Sequence, residues 1–263
     1  SYGLLLRIKF RIKMLADVHC HLAAKEFEKD LDEVIERAMK AGVAFVVSNG
    51  IARENKETLA IAEKYGIVKA SLGIDPTEAE KLPDEQIEKV IMLILDNKDR
   101  IAGIGEVGLE GKYPNLNLKR QKEVFQRMIE LSEKTRLPLN IHSRQMEHEA
   151  FEMINSSNAK NAVFHCFCGK LSLAKKIADS GHFVSATTNI VRDAGSQEIA
   201  RQIDIKSIVA ETDSPFLSPF RGKRNEPAFV AEAIKKIAEL KKIKPEEAEL
   251  AIFENSEKIF SLP

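Results

Sequence analysis

The sequence carries no excess of charge of either sign: 40 Lys and Arg stand against 40 Asp and Glu, for a formal net charge of zero. Proteins that hold nucleic acid through bulk positive charge carry a basic excess, so any such contact here has to be local. Cysteine is scarce too. Three cysteines, an odd number, make no disulfide framework, and they point to a reducing compartment, with the cytoplasm the plain reading. No apolar run reaches the roughly 18 residues of a membrane span, so no membrane association is expected. The basic stretch Arg7–Lys13 follows Leu4-Leu5-Leu6, the reverse of the order expected in a signal peptide. No Gly-rich dinucleotide fingerprint follows the first expected strand, and nothing points to an obligate protein partner.

What is present is a rhythm. Short β-branched runs alternate with stretches of helical period along the 263 residues. The expected strands are Leu15 to His21, Val43 to Ser48, Ile67 to Gly73, Ile101 to Gly105, Pro138 to His142, Ala162 to Cys166, His182 to Ala186 and Lys206 to Glu211. Helices follow each, with Gly42 and Gly66 as stops and the last expected over Pro245 to Phe260. Such alternation implies a parallel sheet with helical crossovers. Eight units at a length near the ~250 residues of a typical barrel favour an α/β fold of the (β/α)₈ TIM-barrel type. Residues 1–13, in which basic and apolar residues alternate just before Met14, are read as an N-terminal extension, leaving 14–263 as one domain.

His19 and His21 stand two apart on the first strand, so both point to one face and Cys20 to the other. Two converging imidazoles make half of a metal site; a buried histidine beside an exposed one is the plainer alternative. Glu106, His142, His165 and Asp213 fall at the C-terminal ends of strands four, five, six and eight. In a barrel that rim is the active-site face. The two other histidines fall differently: His148 on a solvated helix face, His182 at the opposite rim in a structural role.

These residues resemble the TatD family of metal-dependent deoxyribonucleases, within the amidohydrolase superfamily. The likeness runs through Asp17-Val18-His19-Cys20-His21-Leu22, Gly105-Glu106-Val107-Gly108-Leu109, Ile141-His142-Ser143-Arg144, His165-Cys166-Phe167 and Glu211-Thr212-Asp213-Ser214-Pro215-Phe216. It continues with Arg221-Gly222-Lys223-Arg224-Asn225-Glu226-Pro227 and Glu254-Asn255. The resemblance implies two divalent cations, Zn2+ or Mn2+ bound with Mg2+ able to serve in catalysis. His19, His21 and Asp213 would hold one, His142 and His165 the second, and Glu106 would bridge. The chain departs from the family pattern at Asp75, where histidine is usual, and at Glu110, where aspartate is usual. Both positions border the site.

The implied chemistry is hydrolysis of phosphodiester bonds by metal-activated water, as an exonuclease on DNA, with single strands the expected substrate. Asp213 would both ligate and take the water's proton, and Glu106 would share the catalytic role. Arg144 and Arg221, with Lys223 and Arg224 behind them, are the candidate phosphate contacts. The same cage can serve the hydrolysis of amide, ester or lactone bonds, including removal of a D-aminoacyl group from tRNA. A silent binding protein would be expected to have lost a ligand, and none of the six is lost.

Overall fold

In a computed structural model that describes residues 14–260, eight strands succeed one another round a barrel in chain order. They are β1 (Leu15–Cys20), β2 (Val43–Asn49), β3 (Val68–Leu72), β4 (Gly103–Gly108), β5 (Leu139–His142), β6 (Val163–Phe164), β7 (Phe183–Thr187) and β8 (Ile208–Glu211). Each pairs in parallel with the next. The ring closes through a parallel bridge between Cys20 and Ser214. There the His21 amide donates to the Ser214 carbonyl at 2.8 Å, and the Asp213 amide to the His19 carbonyl at 2.8 Å. The expected (β/α)₈ barrel is therefore the observed one, and the extension expected at residues 1–13 lies outside the described residues.

The crossovers are α1 (Leu31–Ala41), α2 (Asn55–Lys64), α3 (Pro76–Ala79), α4 (Asp84–Asn97), α5 (Leu118–Thr135), α6 (Glu147–Asn155), α7 (Leu171–Asp179), α8 (Ala194–Gln202), α9 (Val230–Lys241) and α10 (Pro245–Phe260). Local chemistry explains several of the boundaries. Helix α1 stops at Gly42, whose φ of 92° suits a residue without a Cβ. The short α3 opens on an Asp75 cap followed by Pro76, whose fixed φ and missing N–H fit the first helical turn. No described helix is long and apolar enough to cross a membrane.

The strands divide the apolar residues between two layers, as their period of two requires. Leu15, Cys20, Val46, Leu72, Ile104, Phe164 and Ile208 pack outward among the helices. Ala16, Val18, Phe45, Val47, Val163, Phe183 and Val209 pack together inside, and Phe253, Ile259 and Phe260 of α10 join them. That inner cluster floors the barrel. It leaves the C-terminal ends of the strands to polar side chains.

Two departures from regular strand geometry aim those side chains. The β1–β2 register shifts between Asp17 and Cys20, and the β4–β5 register between Ile104 and Val107. An extra residue in a ladder re-aims the side chains beyond it. His19 and His21 thus turn to the mouth above Ala16 and Val18, while Cys20 is packed away with its thiol 3.6 Å from the Val47 carbonyl.

Candidate metal centre

Six side chains from five strand ends meet at the mouth. His19 Nε2 lies 3.1 Å from His21 Nε2 and 3.7 Å from both Glu106 Oε2 and Asp213 Oδ1. His21 Nε2 lies 3.4 Å from Glu106 Oε2 and 3.5 Å from Asp213 Oδ1. On the other side of Glu106, its Oε1 is 2.8 Å from His142 Nδ1 and 3.0 Å from His165 Nε2. The two imidazole nitrogens there are 3.1 Å apart, and His165 stacks flat on His19 with ring centroids separated by 3.9 Å. Every one of the six residues picked out in the sequence is in this cluster.

The outer shell fixes which nitrogen each ring presents. His19 Nδ1 pairs with Asn140 Oδ1 at 3.0 Å, and Asn140 Nδ2 donates to the Val18 carbonyl at 2.8 Å, which sets its oxygen toward the ring. His21 Nδ1 pairs with the Asn49 carbonyl at 3.1 Å. Both partners are acceptors, so each Nδ1 carries a proton, and each ring in its neutral form turns an Nε2 lone pair inward. His142 is held the other way round: Nε2 faces Glu110 Oε2 at 3.1 Å, leaving Nδ1 for Glu106. Facing lone pairs 3.1 Å apart, as on His19 and His21, are unfavourable without a proton or a cation between them.

The titration behaviour reflects this crowding. Burial, then the neighbouring His165 charge, pushes His19 down to about 3. Burial also works against charge on His21 and His142, yet Asp213 and Glu106 beside the first, and Glu106 and Glu110 beside the second, raise each to about 9. Glu106 resists its own burial because His165 and His142 hold its carboxyl well below the ordinary value. Asp213 is likewise lowered against burial by His21, His19 and His165. Asp213 also has a φ of 55°, in the left-handed region, a strain of the kind that surrounding structure holds at functional sites. Asp17 supplies part of that hold, accepting from the Thr212 amide at 2.8 Å. So does Asn225, whose Nδ2 donates to the Thr212 carbonyl at 2.7 Å.

Among the described residues, atoms able to ligate a metal gather in three overlapping groups, with all atoms of a group within 4.8 Å of one another: His19, His21 and Asp213; His19, Glu106 and His165; and Asp75, Glu106 and His142. The pattern describing TatD-related DNases matches residues 16–261. The chain belongs to this family. A metal-dependent hydrolase of Methanocaldococcus jannaschii, MJ1582, is 36% identical over 93% of this chain and 96% of its own length. Human deoxyribonuclease TATDN3 is 35% identical over 94% of each. Among solved structures, the TatD homologue YjjV of Escherichia coli superposes with a TM-score of 0.89 at 25% identity, covering 95% of this chain and 98% of that one.

In this TatD-family chain the mouth opens into a cleft of about 540 Å³. Besides the cluster it is lined by Lys25, Arg53, Asp75, Glu110, Tyr113, Arg144 and Phe216. Arg144 is exposed and, among the described residues, has no carboxylate within ion-pair distance. Arg221 is exposed on the loop after β8 and does not line the cleft. Arg224 requires a correction. The sequence makes it a candidate phosphate contact, but its guanidinium lies over the Phe27 ring and pairs with both Asp30 oxygens at 2.8 and 2.6 Å. Its charge is committed to clamping the loop. Lys223 sits over the Phe220 ring, 5.7 Å from its centroid.

His148 is exposed beside Glu152 on α6, and His182 is buried, its Nδ1 accepting from the Ala162 amide. Both lie away from the cluster. Asn49, Asn140 and the exposed aromatics Tyr113 and Phe216 are not singled out by the sequence. A polar residue at a strand end is the available signal for the two asparagines, and none exists for the aromatics.

Proposed function

We propose that this chain is a metal-dependent deoxyribonuclease that removes nucleotides from an end of single-stranded DNA, with residues 14–263 as its working domain. The observation that carries the reading is the inward-facing donor set: imidazole nitrogens and two carboxylates turned toward one another, with the outer nitrogens of His19, His21 and His142 held by Asn140, the Asn49 carbonyl and Glu110. That set fits divalent cations. His19, His21 and Asp213 would hold one and His142 and His165 the other, with Glu106 between, Zn2+ or Mn2+ being bound and Mg2+ able to serve in turnover. When bound, such cations supply Lewis acidity that polarises a phosphoryl group and acidifies water.

The remaining work falls to the chain. Asp213 would take the proton of the attacking water, its strained backbone holding the carboxylate at the mouth beside His19 and His21. Asn140, the Asn49 carbonyl and Glu110 keep the imidazoles from turning away. Arg144, at the rim and unpaired, binds a phosphate next to the one cut, and Arg221 contacts the strand further out. Tyr113 and Phe216, 52% and 54% exposed on the lip of the cleft, offer faces on which unpaired bases stack. The relatives named deoxyribonuclease weigh against the amide, ester and lactone alternative. The three free thiols, Cys20, Cys166 and Cys168, support a reducing compartment, the cytoplasm.

Digestion of end-labelled single- and double-stranded DNA across a series of Mn2+, Mg2+ and Zn2+ tests the proposal. The expected result is metal-dependent shortening from one end, faster on single strands. Absence of cleavage under every metal, with hydrolysis of aminoacyl or lactone substrates instead, would overturn it.

A further inference from the structure

The carboxylate side of the centre holds a donor that the six-residue set leaves out. Asp75 follows β3 and caps α3. Its approach to Glu106 depends on Gly73, where a Cβ would run into the Glu106 carbonyl. Asp75 Oδ1 accepts from the Thr77 amide at 2.8 Å and from the Thr77 hydroxyl. Two donors on one oxygen fix the carboxylate's rotation, and among the described residues no hydrogen bond reaches Oδ2. Asp75 lines the cleft, and its carboxylate lies with Glu106 and His142 in a group whose ligating atoms are within 4.8 Å of one another. Two carboxylates so close repel each other unless positive charge lies between them. In the cation-free chain that charge is the proton His142 Nδ1 shares with Glu106 Oε1 at 2.8 Å; a cation that displaces the proton finds a lone pair there, because Glu110 occupies the other nitrogen of His142. Two carboxylates and one imidazole nitrogen are then available at one place.

We propose that Asp75 is a direct ligand of the second cation, adding a carboxylate to the His142, His165 and Glu106 donors. The inference rests on the reading of the cluster as a two-cation centre. Its chemical ground is the balance of donors at the two ends. His19, His21 and Asp213 with Glu106 offer two nitrogens and two carboxylates, and His142, His165 and Glu106 reach the same number only when Asp75 joins them.

The test is Mn2+ binding to the full-length chain after chelation, followed by calorimetry and by the electron spin resonance of coupled Mn2+ pairs. Asp75→Asn is the informative variant, since the amide oxygen keeps the bond from the Thr77 amide while the anionic donor is lost. The wild type is expected to bind two Mn2+ and show the coupled signal. Asp75→Asn is expected to weaken the second Mn2+ by about 10–100-fold, leave the first unchanged and lose the coupling. Asp75→His, which returns a donor able to ligate, is expected to restore a second site. Two Mn2+ bound with unchanged affinities in both variants would overturn the proposal, and so would a wild type that binds only one. None of these measurements uses nucleic acid. A chain that lost its second Mn2+ in Asp75→Asn yet cut no DNA would uphold the ligand assignment and refute the substrate.

Discussion

The floor and the mouth of this barrel are built from the same strands and hold opposite chemistries. On β2, Phe45 and Val47 pack into the floor while Asn49 stands at the mouth. Val163 and Val209 lie in the floor, and His165 and Glu211, two residues further on, belong to the mouth. One step of the pleat, about 6.6 Å along the strand, separates a layer that buries apolar surface from one that gathers charges and lone pairs. The floor is where burial stabilises the fold without opposition. The mouth concentrates groups that repel or strain one another, which is a cost to the cation-free protein and a condition of its chemistry. The two layers should therefore fail separately when perturbed.

The largest effect is expected from the mouth. Asp213→Asn keeps the shape of the side chain and removes the proton acceptor. At saturating Mn2+ it should lower kcat on single-stranded DNA by about 10²–10⁴-fold, with a smaller accompanying fall in melting temperature from the lost charge beside His21. A kcat within a few-fold of wild type would take the base assignment away from Asp213. The floor should answer in reverse. Phe253 is 4% exposed between α10 and the Phe45 ring, whose centroid is 5.8 Å away. Phe253→Ala should cost about 3–5 kcal/mol in urea denaturation and leave kcat per folded molecule unchanged. A loss of turnover at constant folded fraction would mean that the layers are coupled.

Acidity sharpens the contrast, because titrating groups cluster in the mouth. His21 and His142 are raised to about 9 by the carboxylates beside them. A raised folded pKa contributes stability that is complete below the unfolded value of about 6.5 and is lost as pH climbs through the folded one. Glu106 and Asp213, both lowered, contribute above their unfolded values and lose that contribution as pH falls into the acid range. The cation-free chain should thus lose melting temperature between about pH 6.5 and 9. Bound Zn2+ or Mn2+ requires the same imidazoles without their protons, so adding either should flatten that alkaline limb. Thermal melts across pH, with and without metal, decide it; superimposable curves would place the raised histidines outside the cation site.

How much of this is open to sequence reading differs by layer as well. The eight strands and most helices are legible from period and punctuation, and α10 begins and ends at the residues expected. The largest displacement is at β4, expected over Ile101 to Gly105 and observed at Gly103–Gly108, since glycines carry no hydrophobic signal by which to mark its end; β6, expected over Ala162 to Cys166, is observed only at Val163–Phe164. The six clustered residues are legible because polar side chains at barrel strand ends are costly unless used. The register shifts in β1 and β4 are not, because an unpaired residue leaves no trace in a single strand's pattern. Nor is the choice of tautomer, which depends on Asn140 and the Asn49 carbonyl, more than 20 residues from the rings they orient. Asp75 and Glu110, visible only as departures from a family pattern, both turn out to touch the His142 end of the centre.

The smallest effects separate two arginines that look alike in the sequence. Arg224 is tied to Asp30 and stacked on Phe27, whereas Arg144 faces the cleft unpaired. Asp30, with its side chain 35% exposed, is lowered by the hydrogen bonds of Arg224 and its neighbour Arg37, so the pair is intact above the ordinary carboxylate range and is lost toward acid pH. A partly exposed pair of this kind contributes up to about 1 kcal/mol. Arg224→Ala should cost no more than that in stability, beyond what the lost Phe27 contact adds, and should leave KM for DNA alone. Arg144→Ala should leave stability alone, raise KM several-fold at constant kcat, and flatten the salt dependence of binding by about one phosphate contact. If instead Arg224→Ala raised KM and reduced the salt slope while Arg144→Ala did neither, the strand would have to leave the cleft over the β8 loop. The unpaired charge beside His142 would then need another purpose.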